Sequence, residues 1–294
     1  MPSRALLLVN PRARRGAEGA EEIAAGLRDA GLDLVVEPTD DASACPRLIG
    51  RHSGTVDRVI VAGGDGSLNA AVQVLVEVGL PLGIVPLGTA NNLARTIGIP
   101  LDLEGAVATA AGEHRRTVDL GRVNGRYFCT TASVGLSVEI TEELSPESKR
   151  RWGPLAYVLA GLRVIRRSRP FHADITWEGG TRHSRTVQIV VGNGRHYGAA
   201  LAVAHDATID DSRLDLYSLE VNHWWELLRL APFLKLGTHG KRRDVEALRA
   251  RAFEVRTRRP MPIDLDGELG TETPARFEVV PGALEVFAPE PAAS

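Results

Sequence analysis

The sequence predicts an α/β protein in two parts, the first with a parallel sheet covered by helices and the second rich in antiparallel strands. In the first part, short apolar strands alternate with amphipathic helices, which is typical of βαβ units. In the second, many short strands with turns between them predict an antiparallel sandwich. The change falls beside an Asn124-Gly125 hairpin signal. We therefore predict one domain over residues 1–120 and another over 121–294, whose last strand can return to the first.

Composition limits the classes of protein that this chain can represent. Its 294 residues are 44% hydrophobic and 24% charged, as in ordinary globular proteins, and the formal net charge of −2 predicts no nucleic-acid partner. The two cysteines, Cys45 and Cys129, are too few for a disulfide framework and favour a reducing cytoplasm. No apolar run approaches the roughly 18 residues of a membrane span, and the N-terminal run is too short for a signal-peptide core.

The chain opens with a predicted βαβ unit. Residues 6–9 and 32–36 are apolar runs that predict buried strands, and residues 20–30 between them predict a helix. The turn after the first strand lies where open α/β sheets bind ligands. This turn carries three basic side chains, Arg12, Arg14 and Arg15. They either contact phosphates or are solvated on a loop.

The most informative stretch is a strand, a glycine turn and a helix in succession. Residues 59–62 predict a buried strand, residues 63–67 read Gly-Gly-Asp-Gly-Ser, and apolar residues then recur at helical spacing up to Gly79, where a left-handed helix stop belongs. Glycines let the backbone approach a ligand, and the start of a helix attracts anions, so this corner suits a phosphate. Because Asp65 would repel a bare anion, the pattern indicates a Mg²⁺-nucleotide.

A second corner of the same kind follows. Residues 83–87 predict a strand, Gly88 and Thr89 a turn, and residues 90–97 a helix that ends at Gly98. The small polar residues at this helix start include Asn91 and Asn92, and helix capping alone would explain any one of them. Two such corners in succession favour a shared ligand.

The remaining pattern predicts one more helix and then mainly strands. Residues 102–112 are a helix candidate, and a hairpin follows over residues 117–131. The predicted strands after it span residues 171–177, 186–191, 214–219, 252–256, 276–280 and 284–287.

Two acidic clusters lie in the second part. In an extended segment Asp264, Asp266 and Glu268 would share one face and need a cation or proton among them, but Asp266-Gly267 could also be a simple hairpin turn. The second cluster precedes a strand and consists of Asp210, Asp211 and Asp215. It either binds a hard cation or is a solvated acidic turn.

Two further stretches are both basic and apolar. Residues 149–169 contain seven basic residues and no acidic one, and residues 223–243 combine Trp224 and Trp225 with arginines and lysines. Both suit a membrane interface, or are ordinary helices that bury one face.

The two glycine corners, GGDGS and LGTANNLAR, resemble the diacylglycerol kinase catalytic domain family, to which bacterial lipid kinases and sphingosine kinases belong. Ser67 replaces the usual threonine and keeps its hydroxyl. The resemblance covers nearly the whole chain and implies a Rossmann-like nucleotide-binding domain, a β-rich domain and an active site in the cleft between them. It also implies ATP as co-substrate, Mg²⁺ as cofactor and a lipid hydroxyl as phosphoryl acceptor.

The resemblance also implies site residues. Glu268 is the candidate base, and Asp65 and Asp266 are the candidate partners of the catalytic Mg²⁺. A structural Mg²⁺ is expected on the carbonyls of Thr208 and Arg213 and the side chain of Asp211. The nucleotide contacts are Asn10, Pro11, Arg12, Ala13, Arg14, Thr39, Gly63, Gly64, Asp65, Gly66, Ser67, Leu68, Asn69, Gly88, Thr89 and Asn91.

The sequence therefore predicts an ATP- and Mg²⁺-dependent lipid kinase. We expect it in the cytoplasm, in transient contact with the inner face of the membrane, and a homodimer is one of the oligomeric states left open. A NAD kinase shares GGDG and a two-domain layout, although LGTANNLAR and the late Asp-Gly-Glu motif argue against it. A nucleotide-binding regulator without turnover is the third alternative. Diacylglycerol, a sphingoid base, phosphatidylglycerol and an isoprenoid alcohol all remain open as acceptors, because cleft shape sets this choice.

Overall fold

The computed structural model describes residues 3–9, 16–39, 41–143, 167–194, 196–197, 201–202, 208–221 and 245–290. The chain forms two compact units, one of Met1–Leu120 with Val280–Ser294 and one of Gly121–Val279. The predicted fold class, an α/β part with a parallel sheet and a part built from antiparallel strands, is confirmed.

The first unit is built on a parallel sheet. Its strands are ordered β2-β1-β3-β4, and the end of the last strand of the chain pairs in parallel with β4 through Val286 and Leu82. The carboxyl ends of parallel strands lie at one edge of the sheet, which is where ligands bind in such folds. The strands are β1 (Arg4–Val9), β2 (Asp33–Pro38), β3 (Arg58–Gly63) and β4 (Leu82–Pro86).

Helices connect these strands. They are α1 (Gly16–Asp29), α2 (Ala44–His52), α3 (Asp65–Val78), α4 (Asn92–Ile97) and α5 (Leu103–Ala111). The two predicted glycine stops are confirmed, since Gly79 and Gly98 have φ of 68° and 86°. Of these five helices, only α2 lacked a sequence prediction, because it has nine residues and contains Pro46 near its start. Its inward face is buried and consists of Cys45, Leu48 and Ile49.

A buried arginine ties β3 to the end of α5. The side chain of Arg58 is only 1% exposed, and its Nη2 reaches Glu113 at 3.1 Å. The guanidinium lies 4.2 Å from the ring centre of Phe287. A cation is favourable at a helix carboxyl terminus, where carbonyl groups lack intrahelical partners. Nη1 donates to three successive carbonyl oxygens, those of Ala110 (3.3 Å), Ala111 (3.2 Å) and Gly112 (2.9 Å).

Arg58→Ala is expected to lower the free energy of unfolding by roughly 2–4 kcal/mol, because three buried or partly buried carbonyl groups lose their donor at once. Arg4→Ala on the neighbouring strand is the control, since Arg4 is half-exposed and its ion pair with Asp33 is worth about 0–1 kcal/mol. Chemical denaturation of both variants measures the difference. Equal effects would show that the buried guanidinium does not stabilise this unit.

The second unit contains two antiparallel layers around one core. One layer pairs β15 (Ala252–Thr257), β8 (Phe171–Trp177) and β9 (Gly180–Thr186) with the start of β18 (Ala275–Phe287). The other has the order β14-β13-β10-β7-β16-β17. Side chains of both layers fill the core, among them Phe253, Phe277, Ile189 and Leu216. The second layer consists of β7 (Thr131–Gly135), β10 (Gln188–Gly192), β13 (Leu214–Leu219), β14 (Val245–Ala250), β16 (Pro262–Leu265) and β17 (Glu268–Glu272).

The smaller elements complete this unit. They are β5 (Arg115–Val123), which begins in the first unit, β6 (Arg126–Phe128), α6 (Leu136–Glu143), β11 (His196–Tyr197) and β12 (Leu201–Ala202). The predicted Asn-Gly hairpin forms between β5 and β6, since Asn124 and Gly125 both have positive φ. The predicted strands 276–280 and 284–287 are one continuous strand, β18, in which Gly282 takes a φ of 58° and donates its N–H to Asp119 Oδ1 at 2.8 Å.

Candidate active site

The two glycine corners of the first unit lie against each other. The Leu87 N–H donates to the Gly63 carbonyl oxygen at 2.9 Å, which links the ends of β3 and β4. A methyl group placed on Gly88 would lie 2.7 Å from the Gly64 Cα, and one on Gly64 would lie 3.2 Å from the Gly88 Cα. Only glycine allows so close an approach of two backbones. The packing of Gly64 on Gly88 therefore places the two corners side by side, while a ligand shared by both stays a prediction.

Asp65 joins the two corners. It begins α3, and its Oδ1 accepts the N–H of Asn92 at the start of α4 at 2.7 Å. Asn91 caps that helix with a left-handed φ of 50° and holds the turn through two bonds, accepting the N–H of Gly88 (2.9 Å) and donating to its carbonyl (3.0 Å). The starts of both helices thus meet at one carboxylate, in a region where helix dipoles favour a negatively charged ligand.

The other predicted nucleotide contacts differ in burial and in position. Thr39 is buried directly after β2, at the same edge of the sheet, and its N–H donates to Val9. Thr89 is exposed on the second corner. Leu68 and Asn69 are buried in α3, so their side chains belong to the packing of the unit. Residues 10–14 of the predicted nucleotide loop lie outside the described residues.

In the second unit the acidic motif forms a hairpin. Asp266 and Gly267 have φ of 51° and 97°, the signature of a two-residue turn between β16 and β17. Of the two alternatives for this motif, the Asp266-Gly267 hairpin turn is confirmed, and the extended segment with three carboxylates on one face is wrong, because the chain reverses at Asp266. Asp264 is buried on β16 and accepts the Gly267 N–H at 2.9 Å, which closes the turn.

The Asp266 carboxylate is held by four donors from the segment between β6 and β7. Oδ2 accepts the Cys129 N–H at 2.6 Å. Oδ1 accepts the N–H groups of Thr130 and Thr131, both at 2.9 Å, and the Thr130 hydroxyl at 2.6 Å. Three of these bonds end on Oδ1 and one on Oδ2, so they use most of the roughly four lone-pair positions of the carboxylate. The geometry favours Asp266 as an anchor of the turn over the predicted role as a metal partner.

Glu268 follows this anchored turn and is exposed. Within the described part of the chain no hydrogen bond engages its carboxylate. The pKa of Glu268 is raised above its usual value, chiefly because the surrounding protein removes part of its hydration, while Asp266 adds to the rise and Arg126 opposes it. A carboxyl group on a fixed turn, accessible and with a raised pKa, is suited to accept a proton.

Asn193 anchors the same segment from the other side. It follows β10, is buried, and donates its N–H to the Thr130 carbonyl at 2.7 Å and its Nδ2 to the Cys129 carbonyl at 2.9 Å. The sequence contains no local signal for this role of Asn193. It did not predict that Cys129–Thr131 would be the common partner, because these contacts join residues far apart in the chain.

The turn at Asp211, which was predicted to bind a structural Mg²⁺, is held by donors of the chain itself. Asp211 accepts the Arg213 N–H at 3.0 Å through Oδ1, and its Oδ2 accepts Nη2 of Arg249. Thr208 is exposed. Among the described residues no group of three or more His, Cys, Asp or Glu side chains is placed to hold a metal ion. Because the guanidinium of Arg249 binds Asp211, the residues of this turn do not fit a divalent cation.

The two basic-apolar stretches are almost entirely outside the described residues; of residues 149–169 only the last three are described, and of 223–243 none. None of the helices that the structure describes is long and apolar enough to cross a membrane.

Comparison with known proteins agrees with this architecture. Residues 4–123 match the family model described as the diacylglycerol kinase catalytic domain, and residues 130–288 match the YegS C-terminal NAD kinase beta sandwich-like domain. A solved structure from Bacillus anthracis assigned as a diacylglycerol kinase superposes with a TM-score of 0.85 at 25% identity, covering 98% of this chain and 96% of that one. These matches define an α/β kinase fold with a NAD kinase-like sandwich.

Curated relatives give the family. A diacylglycerol kinase from Mycobacterium tuberculosis (strain H37Rv) is 32% identical over 301 residues, which cover 96% of this chain and 94% of that protein. One from Staphylococcus aureus (strain MRSA252) is 27% identical over 299 residues, which cover 98% and 93%. The chain belongs to the diacylglycerol kinase catalytic domain family, which is a family of lipid kinases.

Proposed function

We propose that this protein transfers the γ-phosphoryl group of Mg²⁺-bound ATP to the hydroxyl group of a lipid of the diacylglycerol class. The observation that supports this most strongly is the joined pair of glycine corners, in which Gly64 packs on Gly88 and Asp65 bonds the start of α4. Such corners suit the phosphates of a nucleotide because they present N–H groups without a side chain in the way.

Each element has a defined part in the proposed reaction. The first turns of α3 and α4 would hold the phosphates, and Asp65 would help to hold the Mg²⁺ that accompanies ATP. Mg²⁺ supplies charge neutralisation on the phosphate oxygens, and such chemistry depends mainly on positioning and electrostatics. The remaining step is the removal of a proton from the acceptor hydroxyl.

Glu268 is proposed as the base for that step. Its carboxylate takes the hydroxyl proton while the lipid oxygen forms a bond to the γ-phosphorus and the bond to the β-phosphate oxygen breaks, which releases ADP. Asp266 is proposed as a positioning residue, because its four bonds to Cys129–Thr131 hold the turn that precedes Glu268. The proposal requires that Asp65 and Glu268 act on the same γ-phosphate.

Incubation with radiolabelled ATP, Mg²⁺ and a panel of acceptors tests the proposal. The panel contains diacylglycerol, a sphingoid base, phosphatidylglycerol, an isoprenoid alcohol and NAD. Label in diacylglycerol is the expected result, and label in another lipid would keep the lipid kinase and change its acceptor. Label in NAD alone would favour the NAD kinase alternative, which the name of the matched sandwich domain keeps open. Nucleotide binding without transfer to any acceptor would favour a regulator.

A lipid acceptor also predicts membrane contact through the two basic-apolar stretches. Binding to vesicles with anionic lipid should weaken as salt rises, because screening reduces the attraction of basic side chains to the surface. Replacing Arg166, Arg167 and Arg169 by Glu should weaken it further, as co-sedimentation with vesicles would measure. Replacing the exposed Arg256 and Arg259 of the second unit by Glu is the control. Equal binding to neutral and anionic vesicles would contradict the electrostatic part of the proposal.

A further inference from the structure

We propose that the guanidinium of Arg249 is the resident cation of the Asp211 turn, in the place where the family resemblance implies a structural Mg²⁺. The second unit would then hold its acidic turn with a side chain of its own. This inference concerns stability and metal dependence, and it does not rest on the proposed kinase activity.

The position of Arg249 follows from strand register. Arg249 on β14 lies directly opposite Asp215 on the antiparallel strand β13, and its Nε is 3.5 Å from Asp215 Oδ1. From there the side chain extends to the turn before β13, where Nη2 bonds Asp211 Oδ2. One guanidinium thus contacts two carboxylates. Arginine suits this task because its planar fork presents several donors in fixed directions.

A hydrogen bond within the chain shapes the Asp211 turn. The Arg213 N–H bonds Asp211 Oδ1, which is the arrangement of an Asx-turn, and Ser212 between them adopts a φ of 56°. This left-handed conformation favours glycine, and Ser212 adopts it within the Asx-turn. Both oxygens of Asp211 are therefore engaged by donors of this chain.

The guanidinium and a divalent cation exclude one another at this site. A hard cation binds through carboxylate lone pairs, and Asp211 is the only side-chain ligand that the resemblance implies. A guanidinium bonded to Oδ2 occupies one of the lone-pair positions of that oxygen, and its positive charge repels a second cation there. Because arginine stays charged at all accessible pH values, the turn is held whatever the free metal concentration.

Thermal unfolding without nucleotide tests the inference in four proteins: wild type, Arg249→Gln, Asp211→Asn and the double variant. Asparagine keeps an oxygen for the Arg213 N–H and removes only the charge, so Asp211→Asn isolates the ion pair. In wild type, Asp211→Asn should lower the melting temperature by about 2–4 °C, as a loss of one interaction does in a domain of this size. In the Arg249→Gln background the same change should raise it, because Asp211 and Asp215 then lack their shared cation. Equal lowering in both backgrounds would overturn the proposal.

Divalent cations give the second readout. The wild-type melting temperature should be the same in EDTA and in millimolar MgCl₂ or CaCl₂, whereas Arg249→Gln should be stabilised by either salt. Arg249→Lys, which retains a cation, should remain insensitive and is the matched control. If EDTA lowers the melting temperature of wild type and Asp211→Asn removes that dependence, the turn holds a metal and the proposal is wrong.

Discussion

Replacing Glu268 by glutamine is expected to lower kcat by roughly 10²- to 10⁴-fold, the usual contribution of positioned proton transfer. Glutamine keeps the size of the side chain and removes the group that accepts the proton from the lipid hydroxyl. The KM for ATP should change little, because the glycine corners proposed to bind its phosphates belong to the first unit. Stability should change by less than about 0.5 kcal/mol, since Glu268 is exposed.

If Glu268 is the base, the rate should also depend on pH in a defined direction. A base must be deprotonated, so the rate should rise with pH through the pKa of Glu268. That pKa is raised, chiefly by partial loss of hydration and further by Asp266, so the rise should lie above the range of an ordinary glutamate. Glu268→Gln should abolish the rise, which rate measurements across acidic and neutral pH would show.

Glu272→Gln is the matched control, because Glu272 is exposed at the far end of the same strand β17. It should leave both kcat and the pH profile unchanged. Near-normal kcat in Glu268→Gln would make the Asp-Gly-Glu motif a simple hairpin turn. Loss of ATP binding in that variant would instead assign Glu268 to support of the nucleotide.

The parts of the fold that sequence predicted well are those whose signal is local. The strand β3, the glycine turn and the helix α3 up to Gly79 are each determined by residues within a few positions of one another. The Asn124-Gly125 turn is of the same kind, since only its two residues need positive φ. Local pattern was therefore sufficient to predict where the two glycine corners lie.

Elements without a local signal were not predicted. The strand β9 has the sequence Gly-Thr-Arg-His-Ser-Arg-Thr and is mostly exposed, so tertiary pairing with β8 stabilises it more than its own composition does. The strand β14 carries Arg249, and its pairing with β13 brings this side chain to Asp215. The cation beside the Asp211 turn could therefore not be found in a search for ligand spacing.

The acidic motif shows why the role of a residue is harder to predict than its position. The sequence offered a turn or a cation site as alternatives for Asp266, and the structure has a turn whose aspartate is also a hydrogen-bond anchor. Its donors, Cys129 to Thr131, lie about half a chain away, and Asn193 binds the same segment. Such a network depends on sheet topology, which residue spacing does not encode.

Replacing Asp65 by asparagine is expected to keep the fold of the first unit and to lower the rate by roughly 10²- to 10³-fold, the typical cost of removing one group that stabilises charge in the transition state. The amide oxygen can still accept the Asn92 N–H, so the bond between the two corners survives the change. What is lost is the negative charge proposed to face Mg²⁺ beside the phosphates.

Asp65→Ala removes both the negative charge and the hydrogen bond to Asn92. Comparison with Asp65→Asn, which removes only the charge, therefore separates the two effects. Asp65→Ala should therefore lower the melting temperature as well as the rate, whereas Asp65→Asn should lower the rate alone. Asp102→Asn is the control, since Asp102 caps α5 in the same unit by accepting the Gly105 N–H at 2.8 Å and has no proposed part in the reaction. Measurements of rate against Mg²⁺-ATP concentration and of thermal unfolding distinguish the variants. An Asp65→Asn enzyme with a normal rate at saturating Mg²⁺-ATP would limit Asp65 to joining the two corners.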